Sequence, residues 1–170
     1  GAFAEAVDQL RAALEVTGHA RAGVTIRLNL AEALLAQGRG LEAAEHAREA
    51  EREAIQARLV SKLPEVYRLL GRIASTEGIS DAFVFFERAL QLGRERGLPR
   101  LEEALTLQAY AEAEAARGEA EAATELAALA GRLFETLGME HGRSRWADVY
   151  GSGTRAPAPP TDRDDEDHDS

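Results

Sequence analysis

Apolar residues recur at every third or fourth position along most of the chain, the spacing that places side chains on one face of an α-helix. Taken alone, residues 83–86 (Phe-Val-Phe-Phe) could form a buried strand. The helical spacing of Ala82, Ala89 and Leu90 around them favours a helix instead. The pattern therefore predicts an all-helical chain. Its first apolar stripe comprises Phe3, Ala6, Val7, Leu10, Ala13 and Leu14.

Glycines interrupt this pattern at intervals close to twenty residues. A glycine just past a helix end readily adopts the left-handed conformation that closes the last turn, so these positions predict about seven helices of roughly 16 residues each, joined by short turns. Arg58 stands where the series lacks a glycine. We place the next helix start there, with Ser61 as N-cap and Pro64 in the first turn. The glycines are Gly18, Gly38, Gly78, Gly97, Gly118 and Gly138.

Taken in pairs, the helices repeat about every 40 residues. The helix before each turn glycine at 38, 78 and 118 carries large and small residues at fixed positions. The helix after the turn carries two small residues seven apart, which share one stripe and allow close helix approach. The first set includes Tyr67, Leu70, Gly71 and Ala74, then Leu107, Tyr110, Ala111 and Glu114, and the small pairs are Ala6/Ala13, Ala43/Ala50, Ala82/Ala89 and Ala123/Ala130.

Over about residues 1–137 this pattern resembles the tetratricopeptide repeat (TPR) family, in a long-repeat form similar to the C-terminal arrays of bacterial signalling ATPases, kinases and transcription regulators. The resemblance implies an all-α fold, a right-handed superhelical solenoid of antiparallel helical hairpins. It also implies a non-catalytic module that binds a peptide or protein segment in its concave groove. Arg27 and Glu114 depart from the family pattern, which usually has large apolar residues there.

In such an array the first helices of successive repeats line the concave face, so outward positions recur at the repeat spacing. That register predicts a groove with a basic centre, Arg68 and Arg72, between acidic flanks, suited to a segment with acidic residues in its middle and basic ones at its ends. The alternative is that these positions are ordinary solvated surface. The candidate groove residues are Leu28, Asn29, Glu32, Arg68, Arg72, Gln108 and Glu112.

The composition indicates that the binding partners of this chain are proteins or peptides. The net charge of −10 argues against a nucleic-acid backbone. No apolar run approaches the roughly 20 residues of a membrane span, and the chain opens with no signal peptide, so we expect a cytoplasmic protein. Without cysteine there is no disulfide, thiolate zinc site or cysteine nucleophile.

No motif predicts catalysis. A phosphate-binding Gly-rich loop is absent from the sequence, and the histidines at 19, 46, 141 and 168 lack ligand spacing. We therefore expect no catalytic residue, metal or cofactor. A competing hypothesis is a regulatory array acting in cis within a larger bacterial signalling enzyme or transcription regulator. The missing initiator Met, and 19 arginines against one lysine, favour a piece of a longer protein from a GC-rich genome.

Both ends of the chain carry further expectations. Residues 139–150, with Trp146 and Tyr150, form a short amphipathic piece that we expect to cap the last hairpin of a domain spanning 1–150; the alternative is a partner anchor. Residues 151–170 hold six acidic residues and two arginines and should be a disordered acidic tail. At the other end, the stripe of Phe3, Val7, Leu10 and Leu14 would lack a partner helix, leaving an edge for self-association.

Overall fold

The computed structural model describes residues 2–139, with side chains from residue 4 onward. Within that range the backbone forms seven α-helices and one 3₁₀ turn, with no strand. The all-α prediction is therefore confirmed, as is the helical conformation of residues 83–86. The elements are α1 (Ala2–Val16), α2 (Ala20–Ala36), α3 (Gly40–Gln56), the 3₁₀ turn Val60–Lys62, α4 (Leu63–Thr76), α5 (Ala82–Arg96), α6 (Arg100–Ala116) and α7 (Ala120–Thr136).

Helix ends follow the glycine series closely. After α2, the Gly38 N–H donates to the Leu35 carbonyl at 2.9 Å and the Arg39 N–H to the Leu34 carbonyl at 3.0 Å. This pair of bonds, with glycine at positive φ, satisfies carbonyls that the helix leaves unpaired. The same arrangement, again with a positive-φ glycine, follows α4, α5, α6 and α7.

The prediction is wrong at Gly18, which does not have a positive φ. There α1 already ends at Val16, and the connection to α2 passes through His19 in an extended conformation (φ −109°). This connection therefore does not need a left-handed residue.

Arg58 occupies the glycine position at the end of α3 and adopts the left-handed conformation, with φ +54°. The Leu59 N–H donates to the Ala54 carbonyl at 2.8 Å, as in the glycine turns. Pro64 lies in the first turn of α4, as predicted. Ser61 is not the N-cap, because it lies inside the 3₁₀ turn that leads directly into α4.

Each helix packs against the next along the chain, and α4 also contacts both α2 and α6. The small-residue pairs support this packing, since Ala43/Ala50, Ala82/Ala89 and Ala123/Ala130 are all buried. Alanine at these positions lets neighbouring helices approach closely. The first pair, Ala6/Ala13, is half-buried.

Part of the apolar stripe of α1 lies against the core. Val7 is buried in the main core, and Leu10 packs against the same cluster. The helix contacts α2, and self-association through the edge of α1 stays a prediction. The predicted cap with Trp146 and Tyr150 and the predicted acidic tail lie outside the described residues.

Candidate functional site

The last two turns of α2, α4 and α6 line an open pocket of about 340 Å³. Three of the predicted groove residues, Glu32, Arg72 and Glu112, line it together. They lie 40 residues apart in sequence and on three different helices, so the repeat spacing brings them to one place. The other lining residues are Leu35, Ala36, Ser75, Thr76, Ala109, Ala113 and Ala116.

The second predicted row, Leu28, Arg68 and Gln108, does not face outward. Leu28 is buried, which corrects its assignment to the groove. The side chain of Arg68 is only 16% exposed, and Gln108 is half-buried. This row faces the seams where α2, α4 and α6 meet their neighbours, so a leucine there joins the core. Asn29 is exposed but does not line the pocket.

Both predicted arginines already have carboxylate partners on neighbouring helices. Arg72 Nη1 lies 2.8 Å from Glu32 Oε1, joining α4 to α2. Arg68 Nη1 lies 2.7 Å from Glu102 Oε2, joining α4 to α6. Each guanidinium of the predicted basic centre is therefore paired with a carboxylate of the protein itself.

Glu112 differs from the other charged groups of the pocket. Within residues 2–139 it forms no salt bridge; its Oε1 accepts only a hydrogen bond from the Gln108 amide, at 3.3 Å. The lining thus holds two carboxylates and one guanidinium. A net negative charge therefore remains on the lining of this pocket.

The candidate groove residues did not include the row one turn further along, which is Ala36, Thr76 and Ala116. These three residues line the pocket and carry the same spacing of 40. Extending the register by one helical turn would have found them. Small and polar side chains at this row leave the space that the pocket occupies.

The two departures from the family pattern are each compensated by an ion pair. Arg27 Nε donates to Glu53 Oε1 at 2.8 Å, joining α2 to α3. The buried Glu114 accepts a hydrogen bond from Arg117 Nη1 at 2.9 Å. The first pair joins two helices, and the second lies at the end of α6.

His46, half-buried on α3, has a perturbed acidity. Burial lowers the pKa of its imidazole, and the nearby charges of Arg27 and Arg11 lower it further. Its Nδ1 is buried without a hydrogen-bond partner. This environment favours the neutral form of the ring.

The described part of the chain contains no group of three His, Cys, Asp or Glu side chains placed to hold a metal ion. None of its helices combines the length and apolar character needed to cross a bilayer. Comparison of the chain with protein-family models, curated proteins and solved structures gave no match. The pocket between α2, α4 and α6 is therefore the candidate site on geometric grounds.

Proposed function

We propose that this chain is a TPR-like, non-catalytic interaction module that binds a peptide or protein segment on the face formed by α2, α4 and α6. The observation that carries the proposal is the pocket lined at one 40-residue register by all three helices. A surface built from equivalent positions of successive repeats is how helical arrays form extended binding faces. The segment belongs either to another protein or to another part of the same polypeptide.

The proposed architecture is a right-handed superhelical solenoid of antiparallel hairpins, α2/α3, α4/α5 and α6/α7, with α1 closing the first. Two features support it. The short connections within each pair favour antiparallel neighbours. In addition, α4 contacts both α2 and α6, which is expected if the first helices of the hairpins form one layer.

The test fills the pocket without disturbing the core. Ala36 is exposed at the end of α2 and lines the pocket, so Ala36→Trp should occupy it with little packing cost. The matched control is Val84→Trp, at a half-exposed position on α5 that does not line the pocket. Proteins retained from a lysate of the source organism by the wild-type chain are compared with those retained by each variant.

We expect Ala36→Trp to lose specific partners that Val84→Trp keeps, with the same melting temperature for all three proteins. Equal retention by the two variants would contradict binding at this face. The same variants then serve in binding measurements with any partner that is recovered.

A further inference from the structure

The carboxyl-terminal ends of three helices converge on the pocket. Ala36, Thr76 and Ala116 are the last residues of α2, α4 and α6, and all three line it. The carboxyl-terminal end of an α-helix carries the equivalent of about half a negative charge, because its peptide dipoles are aligned along the helix axis. None of these three helices has a basic residue in its last turn to offset that charge, whereas α5 has two. The backbone alone therefore makes the pocket attractive to a cation.

The side chains of the lining add to this negative potential. Arg72 is held by Glu32, which leaves the Glu112 carboxylate as the excess charge of the lining. Two arginines follow two of these helix ends, but each is paired with a carboxylate. Arg39 Nη2 lies 2.6 Å from Glu42, Arg117 lies 2.9 Å from Glu114, and neither arginine lines the pocket.

Most of the remaining lining is aliphatic, apart from Ser75 and Thr76. Leu35, Ala109 and Ala113 present hydrocarbon surface beside the charged groups. Lysine and arginine side chains bury their methylene stems against such surface while the charged head stays with polar groups. Methyl-lined walls next to an excess carboxylate fit that shape and chemistry.

We propose that the pocket receives one arginine or lysine side chain of the bound segment, with Glu112 as the carboxylate that pairs with its charged head. This inference rests on the proposed function and specifies its ligand. It also changes the preference predicted for the middle of the segment, since Arg68 and Arg72 are paired within the protein. The occupant is a basic segment of a protein partner.

The experiment uses short peptide mixtures with blocked ends, randomised except for a fixed central residue. The centre is arginine, lysine, glutamate or citrulline, the last being an uncharged isostere of arginine. Binding of each mixture to the full chain is measured by fluorescence polarisation for the wild type, Glu112→Gln, the pocket-filling Ala36→Trp and a control, Glu125→Gln. Glu125 is an exposed carboxylate on α7.

We expect the arginine and lysine mixtures to bind about tenfold more tightly than the citrulline mixture, the change that roughly 1.4 kcal/mol of charged contact makes. Glu112→Gln should remove this preference, while Glu125→Gln should keep it. If Ala36→Trp blocks binding but arginine gains nothing over citrulline, or Glu112→Gln keeps the preference, the inference is overturned and the groove function stands. If no mixture binds, or Ala36→Trp binds as the wild type does, both are overturned.

Discussion

Gly71 is required by a close helix contact. A Cβ atom at this position on α4 would lie 2.8 Å from ring atoms of Phe86. Phe86 is fully buried and stacks on Tyr110, with ring centroids 5.0 Å apart. The ring therefore has no free space into which it can retreat. Small residues at this point of the repeat permit the α4–α5 approach.

We predict that Gly71→Ala lowers the free energy of unfolding by about 1–3 kcal/mol, the usual range for overpacking a core. The control is Gly131→Ala in α7, where a Cβ would meet nothing within 4 Å. That change should instead stabilise the protein by about 0.5–1 kcal/mol, since glycine is costly inside a helix. Urea denaturation of both variants measures the difference. Equal effects would mean that α4 and α5 do not approach as closely as the structure places them.

The lowered pKa of His46 predicts how the stability of the protein responds to acid. Burial of the imidazole lowers its pKa most, and the charges of Arg27 and Arg11 lower it further. Glu45 and Glu42 oppose this shift without cancelling it. The unfolded chain therefore takes up the proton first as the pH falls below about 6.5. The stability that this group provides is complete above that pH and is lost as the pH falls toward its lowered folded value.

We predict that the free energy of unfolding falls between pH 7.5 and pH 5.5 more steeply in the wild type than in His46→Gln. Carboxylates contribute to both proteins alike, so the difference isolates the histidine. Denaturant titrations at the two pH values measure it. Parallel losses in the two proteins would show that this ring titrates normally in the folded state.

At the scale of helices, Arg58 shows how far the spacing of helix-ending residues along the sequence predicts the fold. The glycine series located six of the seven helix ends, counting the gap at 58, because a left-handed closing residue is a local requirement. Arg58 meets that requirement at a cost, since a side chain in this conformation is unfavourable by roughly 1–2 kcal/mol. The series failed at Gly18, where the connection does not need a left-handed residue.

We predict that Arg58→Gly stabilises the protein by about 0.5–1 kcal/mol, because relief of backbone strain exceeds the added chain entropy. The control is Arg52→Gly, at an exposed position inside α3, which should destabilise by about 1 kcal/mol. Thermal denaturation followed by circular dichroism compares the two variants. A loss of stability in both would mean that the arginine side chain contributes more at 58 than its backbone strain costs.

The pairing of Arg68 and Arg72 could not be predicted by treating the helices one at a time. Their partners lie 34 and 40 residues away, on different neighbours of α4. The repeat register placed Glu32 beside Arg72. The prediction nevertheless considered only the charges along one face, and so it treated both arginines as available to a ligand. The prediction that Leu28 lies in the groove failed for a related reason. Its burial depends on how the neighbouring helices pack around α2, which one helix alone does not show.

We predict that Arg68→Glu lowers the free energy of unfolding by about 1–3 kcal/mol, because it leaves the partly buried Glu102 facing a second carboxylate. Adding Glu102→Arg should restore most of the loss. The corresponding change at Arg72 should cost less than about 1 kcal/mol, as that pair is largely solvated. Denaturation of the single and double variants gives the coupling directly. Failure of the charge swap to recover stability would remove this ion pair from the α4–α6 contact.

At the scale of the whole molecule, the helices act as a scaffold for one face. Buried alanines hold α3, α5 and α7 against their partners, and α4 contacts both α2 and α6. Three helix ends then meet at a pocket with an excess carboxylate. The sequence predicted the helices and the register of this face. Its electrostatics required the three-dimensional pairing of charges across helices.

The most direct test of binding at this face is site-specific photo-cross-linking in cells of the source organism. A benzophenone amino acid is placed at Ala116, exposed in the pocket lining, and separately at Leu129, exposed on α7 outside it. We predict a discrete cross-linked adduct from position 116 that disappears when Ala36→Trp is added, and no such adduct from position 129. Adducts from 129 alone, or adducts from 116 that survive Ala36→Trp, would contradict binding at the face formed by α2, α4 and α6.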